Sequence, residues 1–326
     1  MTAPVAVVTG ASAGVGRATA VAFAHAGYDV ALVSRESLRL YDAAIEARRA
    51  GGRVHAFLAD VADPVRLDDV AIEIEETLGP IEVWVNNAMV TVFARFEDMT
   101  AEEFARVTAV TYLGAVNGTR AALKRMLPRD RGSIVQVGSA LAYRSIPLQS
   151  AYCGAKAGIR GFTDSIRSEL IHARSHVRIS MVQLSAFNTP QFDWARSRLP
   201  RKLQPVPPIF QPELAARAIV FAARSRRREV WVGWPAIRAI LSTRVIPGLG
   251  DRLAARGAWD EQETDESARS RPDNLFEPVP GHFGAHGRFD DRARSRMVAL
   301  WIVENRYLVL VVLTALVLWA LLTKLL

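Results

Sequence analysis

Short apolar runs rich in β-branched residues alternate with stretches of helical period through the first ~235 residues. The strand candidates are residues 5–9, 30–34, 54–59, 81–86, 133–137, 177–184 and 229–232. Between them, Leu67, Val70, Ile74 and Leu78 fall at i, i+3, i+7 and i+11, one face of a helix that Gly79-Pro80 terminates. Thr100 followed by Glu103 predicts a capping box at the start of the next helix. Near-continuous apolar strands separated by helices belong to a parallel sheet covered on both faces. The expected fold class is therefore a doubly wound α/β domain. After Pro235 the character changes. Residues 250–297 are rich in Arg, Asp, Glu and Gly, and Pro272, Pro278 and Pro280 interrupt any helix. The expected organisation is a main domain over residues 1–245, a polar extension or tether over 246–297, and an apolar terminal segment over 298–326.

That terminal segment decides how the charge is read. The chain has 326 residues and a formal net charge of +8, which suits either nucleic acid or an anionic membrane. The arginines are scattered apart from clusters such as Arg226-Arg227-Arg228, and no base-reading module surrounds them, so no nucleic-acid partner is expected. Residues 307–323, in contrast, run without a charge for a length that reaches the lower bound of a spanning helix, about 17–25 residues. Trp301 to Val303 extend the apolar surface upstream, and Lys324 can snorkel. A core helix would present a polar face, which this run lacks. Arg292, Arg294, Arg296 and Arg306 precede it, so a single-pass C-terminal anchor with a cytoplasmic main domain is expected. No basic leader precedes the first strand, and no signal peptide is expected. The single cysteine, Cys153, excludes a disulfide framework and a thiolate metal site. His282 and His286 stand on the glycine-punctuated GHFGAHG and are read as loop residues, with no metal site expected.

Two sets of residues carry chemistry. Thr9 to Gly16, TGASAGVG, follow the first strand and open the first helix. Gly10, Ser12, Gly14, Val15 and Gly16 would let the backbone approach a pyrophosphate at the positive helix N-terminus. The spacing Gly-x-x-x-Gly-x-Gly differs from the usual dinucleotide fingerprint, so its position at the first strand–helix junction carries the reading. At the end of the second strand an acidic residue would select the ribose hydroxyls of NAD, but Ser34-Arg35 stands there. A hydroxyl and a guanidinium fork suit a 2′-phosphate, with Arg17 adding charge, so NADP(H) is expected over NAD(H). The alternative is that Arg35 is an ordinary solvated residue at a helix start. Tyr152 and Lys156 lie four apart on one helix face, where the ammonium could lower the phenol pKa, and Ser139 could hydrogen-bond a substrate oxygen.

Taken together, the TGASAGVG turn, Asp60, Asn86-Asn87-Ala88, Ser139 and the Tyr152/Lys156 pair resemble the classical short-chain dehydrogenase/reductase family over residues 4–235. The resemblance implies a seven-stranded Rossmann-type sheet and an oxidoreductase moving a hydride between a nicotinamide and a carbonyl or alcohol. It implies Tyr152 as general acid/base, Ser139 orienting the carbonyl, and Lys156 binding the nicotinamide ribose and lowering the tyrosine pKa. It puts Asp60 and Val61 by the adenine, Asn87 and Ala88 by the adenosine ribose and cofactor wall, and Thr189 by the carboxamide. The helix carrying Tyr152 would form a homodimer interface. Three features depart from the family pattern: Thr111 replaces the catalytic asparagine, Met89 replaces a glycine, and Ser185-Ala186 replace Pro-Gly ahead of a run to Thr189 that is one residue short. Thr111 is kept as a catalytic candidate, because the asparagine acts through its backbone carbonyl; Asn117 is rotated away on the helix. Residues 190–212 correspond to the family's substrate lid, and Phe192, Trp194, Leu199, Ile209 and Phe210 either enclose a lipophilic substrate or pack the loop onto its own domain. Cys153 is read as a packing residue. The competing function is a catalytically weak, membrane-tethered nucleotide sensor or scaffold, which the Thr111 replacement mildly favours.

Overall fold

The computed structural model describes residues 3–306 together with Thr314. Seven strands, β1 (Val5–Thr9), β2 (Asp29–Ser34), β3 (Val54–Leu58), β4 (Ile81–Asn86), β5 (Ser133–Ser139), β6 (Arg178–Leu184) and β7 (Glu229–Val232), form one sheet. Their order is β7-β6-β5-β4-β1-β2-β3, with every neighbouring pair parallel. The expected strands are all present, with ends within two residues of those read from the sequence. Because β1 lies between β2 and β4, the chain reverses direction across the sheet there, leaving a crevice beyond the carboxyl ends of these strands.

Helices α1 (Gly14–His25), α2 (Ser37–Ala50) and α7 (Pro212–Arg224) cover one face, and α3 (Pro64–Leu78), α5 (Gly114–Met126) and α6 (Ser150–His172) the other. Alternate residues of each strand serve the two layers, as a period of two requires. Ala6, Val8, Val30 and Leu32 pack with Phe23, Leu40 and Ile219, whereas Val5, Val7, Ala31 and Val33 pack with Leu67, Ile74 and Met126. Burial on both faces is why these strands read as unbroken apolar runs. The α3 face of Leu67, Val70, Ile74 and Leu78 is buried, and the helix stops at Gly79 with φ +108°. The capping box opens α4 (Ala101–Val107), with Thr100 and Glu103 bonding reciprocally. The same buried carboxylate accepts Arg196 at 3.1 Å and Arg198 at 2.8 Å, tying α4 to the segment after β6.

The polar extension is not a free tether. Residues 263–267 pair antiparallel with residues 201–203. Leu275, Phe289, Met297 and Leu300 are buried in three separate apolar clusters, and α10 (Val298–Glu304) lies on α7 and β7. Leu275, Phe289 and Met297 stand far apart among polar residues, so their packing leaves no periodicity to read in the sequence. α8 (Trp234–Val245) and α9 (Pro247–Arg256) precede it. Truncating Leu275, which is fully buried, to alanine is expected to cost about 2–5 kcal/mol in denaturant unfolding. A loose tether would give a change within about 0.5 kcal/mol.

The expected anchor run at residues 307–323 lies outside the described residues apart from Thr314. Among the described residues no helix is long and apolar enough to cross a membrane. Upstream of it, Val303 packs against the core while Trp301 and Ile302 are 48% and 42% exposed, so the Trp301 to Val303 surface is shared between core and solvent.

Candidate active site

The crevice at the β1/β4 ends is built by side chains that tie these ends together. The Thr9 hydroxyl donates to the Val85 carbonyl at 3.2 Å and accepts the amides of Asn87 at 3.0 Å and Ala88 at 3.2 Å. The Asn87 amide group donates back to the Thr9 carbonyl at 2.9 Å. Gly10 at φ +66° and Gly14 at φ +57° take left-handed conformations that favour glycine, and a Cβ on Gly16 would strike the Gly10 carbonyl. α1 begins here without a side-chain cap, so its N-terminal end faces the crevice as an anion seat. One of its amides, that of Gly14, donates to the Gly284 carbonyl at 3.1 Å. The Ser34 hydroxyl donates to that of Ser12 at 3.1 Å, linking the β2 end to the turn.

Beside Ser34, Arg35 is not a solvated helix-start residue. Its guanidinium donates to the carbonyls of Phe276 at 2.8 Å and Asn274 at 2.9 Å and stands 3.9 Å from the Asp60 carboxylate. Burial lowers the Arg35 pKa against the pull of Asp60, and the neighbouring Arg106 adds to the lowering. Asp60 accepts Arg106 at 2.5 Å and the Ala62 amide at 2.9 Å. Burial pushes that carboxyl up, but these donors outweigh it and hold the pKa below the ordinary value. Two arginines escaped the sequence reading. Arg106 also donates to the Leu275 carbonyl at 3.1 Å. Arg39 donates to the carbonyls of Val279 and Gly281 and sits over the Trp194 ring at 5.2 Å. Arg17 donates to the Phe283 carbonyl at 3.1 Å and pairs with Glu46. Residues 274–284 thus form a roof hung from the basic side chains around the β2 end. Only the i, i+4 spacing of Arg35 and Arg39 could have signalled it.

At the other end, β5 delivers Ser139 and the first two turns of α6 deliver Tyr152 and Lys156. The Lys156 ammonium donates to the Val137 carbonyl at 2.7 Å and lies 5.5 Å from the Tyr152 ring centroid. Burial lowers the Lys156 pKa to about 8. Burial also drives the Tyr152 phenol well above its ordinary value, against which the Ser139 hydroxyl pulls it down. Ser139 accepts the Leu141 amide at 3.1 Å, which fixes its rotamer.

A single cavity of about 660 Å³ joins both ends. It is lined by Gly10, Ser12, Gly14, Val15, Gly16, Ser34, Arg35, Asp60, Val61, Asn87, Ala88, Ser139, Tyr152, Lys156 and Thr189, so the structure brings these expected residues together. Met89, which replaces the family glycine, lines it as well. Thr111 does not. It sits in a π-helical turn, Thr108–Leu113, where its hydroxyl donates to the Val90 carbonyl at 2.9 Å and accepts the Val90 amide at 3.1 Å. The hydroxyl is thus committed to the Val90 backbone, whereas the catalytic expectation for Thr111 concerns its backbone carbonyl. Asn117 instead donates to the Val61 carbonyl at 2.9 Å. Of the apolar lid residues, Phe192 and Trp194 line the cavity, while Leu199 and Ile209 pack with Phe93 and Phe289 and Phe210 joins the main core. Cys153 is buried with its thiol pKa raised by burial, which leaves it unreactive. His286 bonds Asp290 at 2.8 Å and Glu213 at 2.7 Å, pinning the extension to the start of α7.

Comparison with known proteins places this geometry. The short chain dehydrogenase family profile matches residues 4–199. The uncharacterized oxidoreductase YxnA of Bacillus subtilis is 30% identical over 96% of this chain and 89% of its own length. A metagenomic short-chain oxidoreductase solved in complex with NADP superposes with a TM-score of 0.60 at 26% identity, covering 71% of this chain and 97% of its own. A short chain dehydrogenase/reductase from Burkholderia phymatum in complex with NAD gives a TM-score of 0.66 over 74% of this chain and 92% of its own; at 23% identity that match speaks to the fold.

Proposed function

The chain belongs to the short-chain dehydrogenase family of oxidoreductases, and from that premise we propose an NADP(H)-dependent carbonyl reductase or alcohol dehydrogenase, held at a membrane and acting on a lipophilic substrate. The observation that carries the reading is the one cavity joining the glycine turn and Arg35 to Ser139, Tyr152 and Lys156. Its residues fit a dinucleotide: the turn closes so tightly that Gly16 has no room for a Cβ, and the N-terminal end of α1, which no side chain caps, suits a pyrophosphate. A nicotinamide bound there supplies or accepts the hydride. Ser139 hydrogen-bonds the substrate oxygen, Tyr152 exchanges a proton with that oxygen, and the Lys156 cation favours the phenolate. Asn87 and Thr189 shape the wall between the two ends.

The NADP preference rests on Arg35. Its guanidinium is partly buried and its charge is disfavoured there, so a 2′-phosphate dianion would relieve that penalty. Titration of the full chain in detergent with NADPH and NADH, followed by tryptophan quenching, tests it. NADPH is expected to bind more tightly, and Arg35→Asp to weaken NADPH by about 10–100-fold, equivalent to the ~1.5–3 kcal/mol of a charged hydrogen bond. Equal binding of both nucleotides would end the preference. No binding of either by a folded sample would favour the scaffold reading, toward which the Thr111 replacement points.

The membrane part of the proposal rests on the uncharged run at residues 307–323 and the arginines before it, which argue for a single-pass anchor and a domain on the cytoplasmic side. A lipophilic substrate fits this position and the apolar lid residues Phe192 and Trp194. A homodimer through α6 is the assembly the family pattern suggests.

A further inference from the structure

The helical hairpin α8–α9 has two contrasting sides. Its inner side walls the substrate end of the cavity through Pro235, Ala236 and Ala239 from α8 and Gly250, Leu253 and Ala254 from α9. Its outer side exposes Trp234, Leu241, Val245, Ile246, Leu249 and Leu253, with Val245 at 77% and Leu253 at 61% exposure. Trp234, Leu241 and Val245 fall at i, i+7 and i+11 and so share one face of α8; Leu249 and Leu253, at i and i+4, share one of α9. Large exposed apolar side chains gathered on one hairpin in this way mark an interaction site. Of the exposed arginines on the same hairpin, Arg238 lines the cavity and Arg244 lies over the Tyr143 and Trp231 rings, whereas Arg252 and Arg256 carry no carboxylate partner among the described residues. Its one carboxylate, Asp251, is taken by Arg144 at 2.7 Å.

We propose that the outer face of α8–α9 docks on an anionic lipid surface, so that the cavity takes its substrate from the bilayer. The proposal rests on the membrane reading above and deepens it. Large apolar side chains on a hairpin that also carries Arg252 and Arg256 match the boundary between acyl chains and anionic headgroups. The path of the chain agrees. α10 packs on β7, as does α8, and the uncharged run begins three residues beyond the end of α10. The last described helix before that run therefore lies on the strand from which α8 departs, so an anchor following it would hold this edge of the sheet at a membrane. Leu253 belongs to both sides of the hairpin, lining the cavity and facing outward, and so marks an entry route for an apolar substrate.

The test uses the full chain carrying Leu249→Cys, labelled with a nitrobenzoxadiazole fluorophore; Cys153 is buried and stays unlabelled. The protein is reconstituted into phosphatidylcholine vesicles with increasing phosphatidylglycerol. The label is expected to shift to the blue and to become shielded from iodide as the anionic fraction rises. The same label at Glu76→Cys, exposed on α3, is expected to remain accessible. Val245→Glu in the Leu249→Cys background is expected to abolish most of the shift, and its 77% exposure makes the change harmless to folding. Alkaline carbonate extraction reads the anchor separately. Protein that resists extraction while the Leu249 label stays in water overturns the docking face and keeps the anchor. Protein that is extracted from vesicles on which the label had shifted keeps the face and removes the anchor. A shift without vesicles that grows with protein concentration, together with a doubled sedimenting mass, assigns the face to a second copy of the chain and overturns the lipid proposal.

Discussion

Replacing Tyr152 with phenylalanine is expected to lower turnover by about 10²–10⁴-fold, the usual worth of a positioned general acid or base, and to leave NADPH binding unchanged. The substitution removes one oxygen and keeps the ring. Ser139 retains its bond from the Leu141 amide, and Lys156 retains the Val137 carbonyl, so neither the substrate-orienting hydroxyl nor the cation moves. A loss confined to kcat with an unaltered nucleotide titration would therefore report the missing proton carrier. Full turnover by the variant would remove Tyr152 from the chemistry. The pH dependence follows from the same residue. Burial raises the phenol pKa, so near neutrality the side chain is protonated, the form that donates to a carbonyl oxygen during reduction. Reduction is expected to fall as pH rises through that pKa, whereas alcohol oxidation, which needs the phenolate, rises over the same range.

The sheet was legible because its strands are buried on both faces and so leave an uninterrupted apolar signature, and because Gly79 and the Thr100/Glu103 box are local signals. The reacting residues were legible for a related reason. Four residues make about one helical turn, so Tyr152 and Lys156 had to share a face whatever the tertiary fold. The roof over the β2 end was not legible. It is made largely of backbone carbonyls of residues 274–284, and a carbonyl has no sequence signature. Arg35 could be chosen as a phosphate ligand from its place after β2, but that its guanidinium also holds the roof through Asn274 and Phe276 depends on where a proline-broken segment returns. The use made of the Thr111 side chain was hidden as well: its hydroxyl is satisfied by Val90 one loop away, a contact set by the π-helical turn.

Lys156→Met is expected to separate what this lysine does for catalysis from what it does to the fold. Turnover should fall by about 10²-fold or more, because the phenol loses the cation that favours its ionised form. The stability effect depends on pH. In the folded protein burial brings the Lys156 pKa down to about 8, from an ordinary value of 10.5, so the unfolded chain holds this proton more tightly than the native one. Stability then rises with pH wherever the unfolded state binds more protons, between about 8 and 10.5, and the full penalty of the buried cation is present below 8. Methionine cannot titrate. The stability difference between variant and parent should be flat below pH 8 and should move in favour of the parent above it, by about 3 kcal/mol over the whole interval. At neutral pH the two opposing effects nearly cancel, since removing the cation relieves that penalty while the Val137 carbonyl is left unpaired at a cost of about 1–3 kcal/mol. The slope is therefore the diagnostic quantity. Urea unfolding of the nucleotide-free protein at intervals from pH 7 to 10 measures it, and the Tyr152 phenol, present in both proteins, drops out of the difference to first order. Parallel stability curves would mean that Lys156 keeps an ordinary pKa in the fold, and its influence on Tyr152 would then act through position alone.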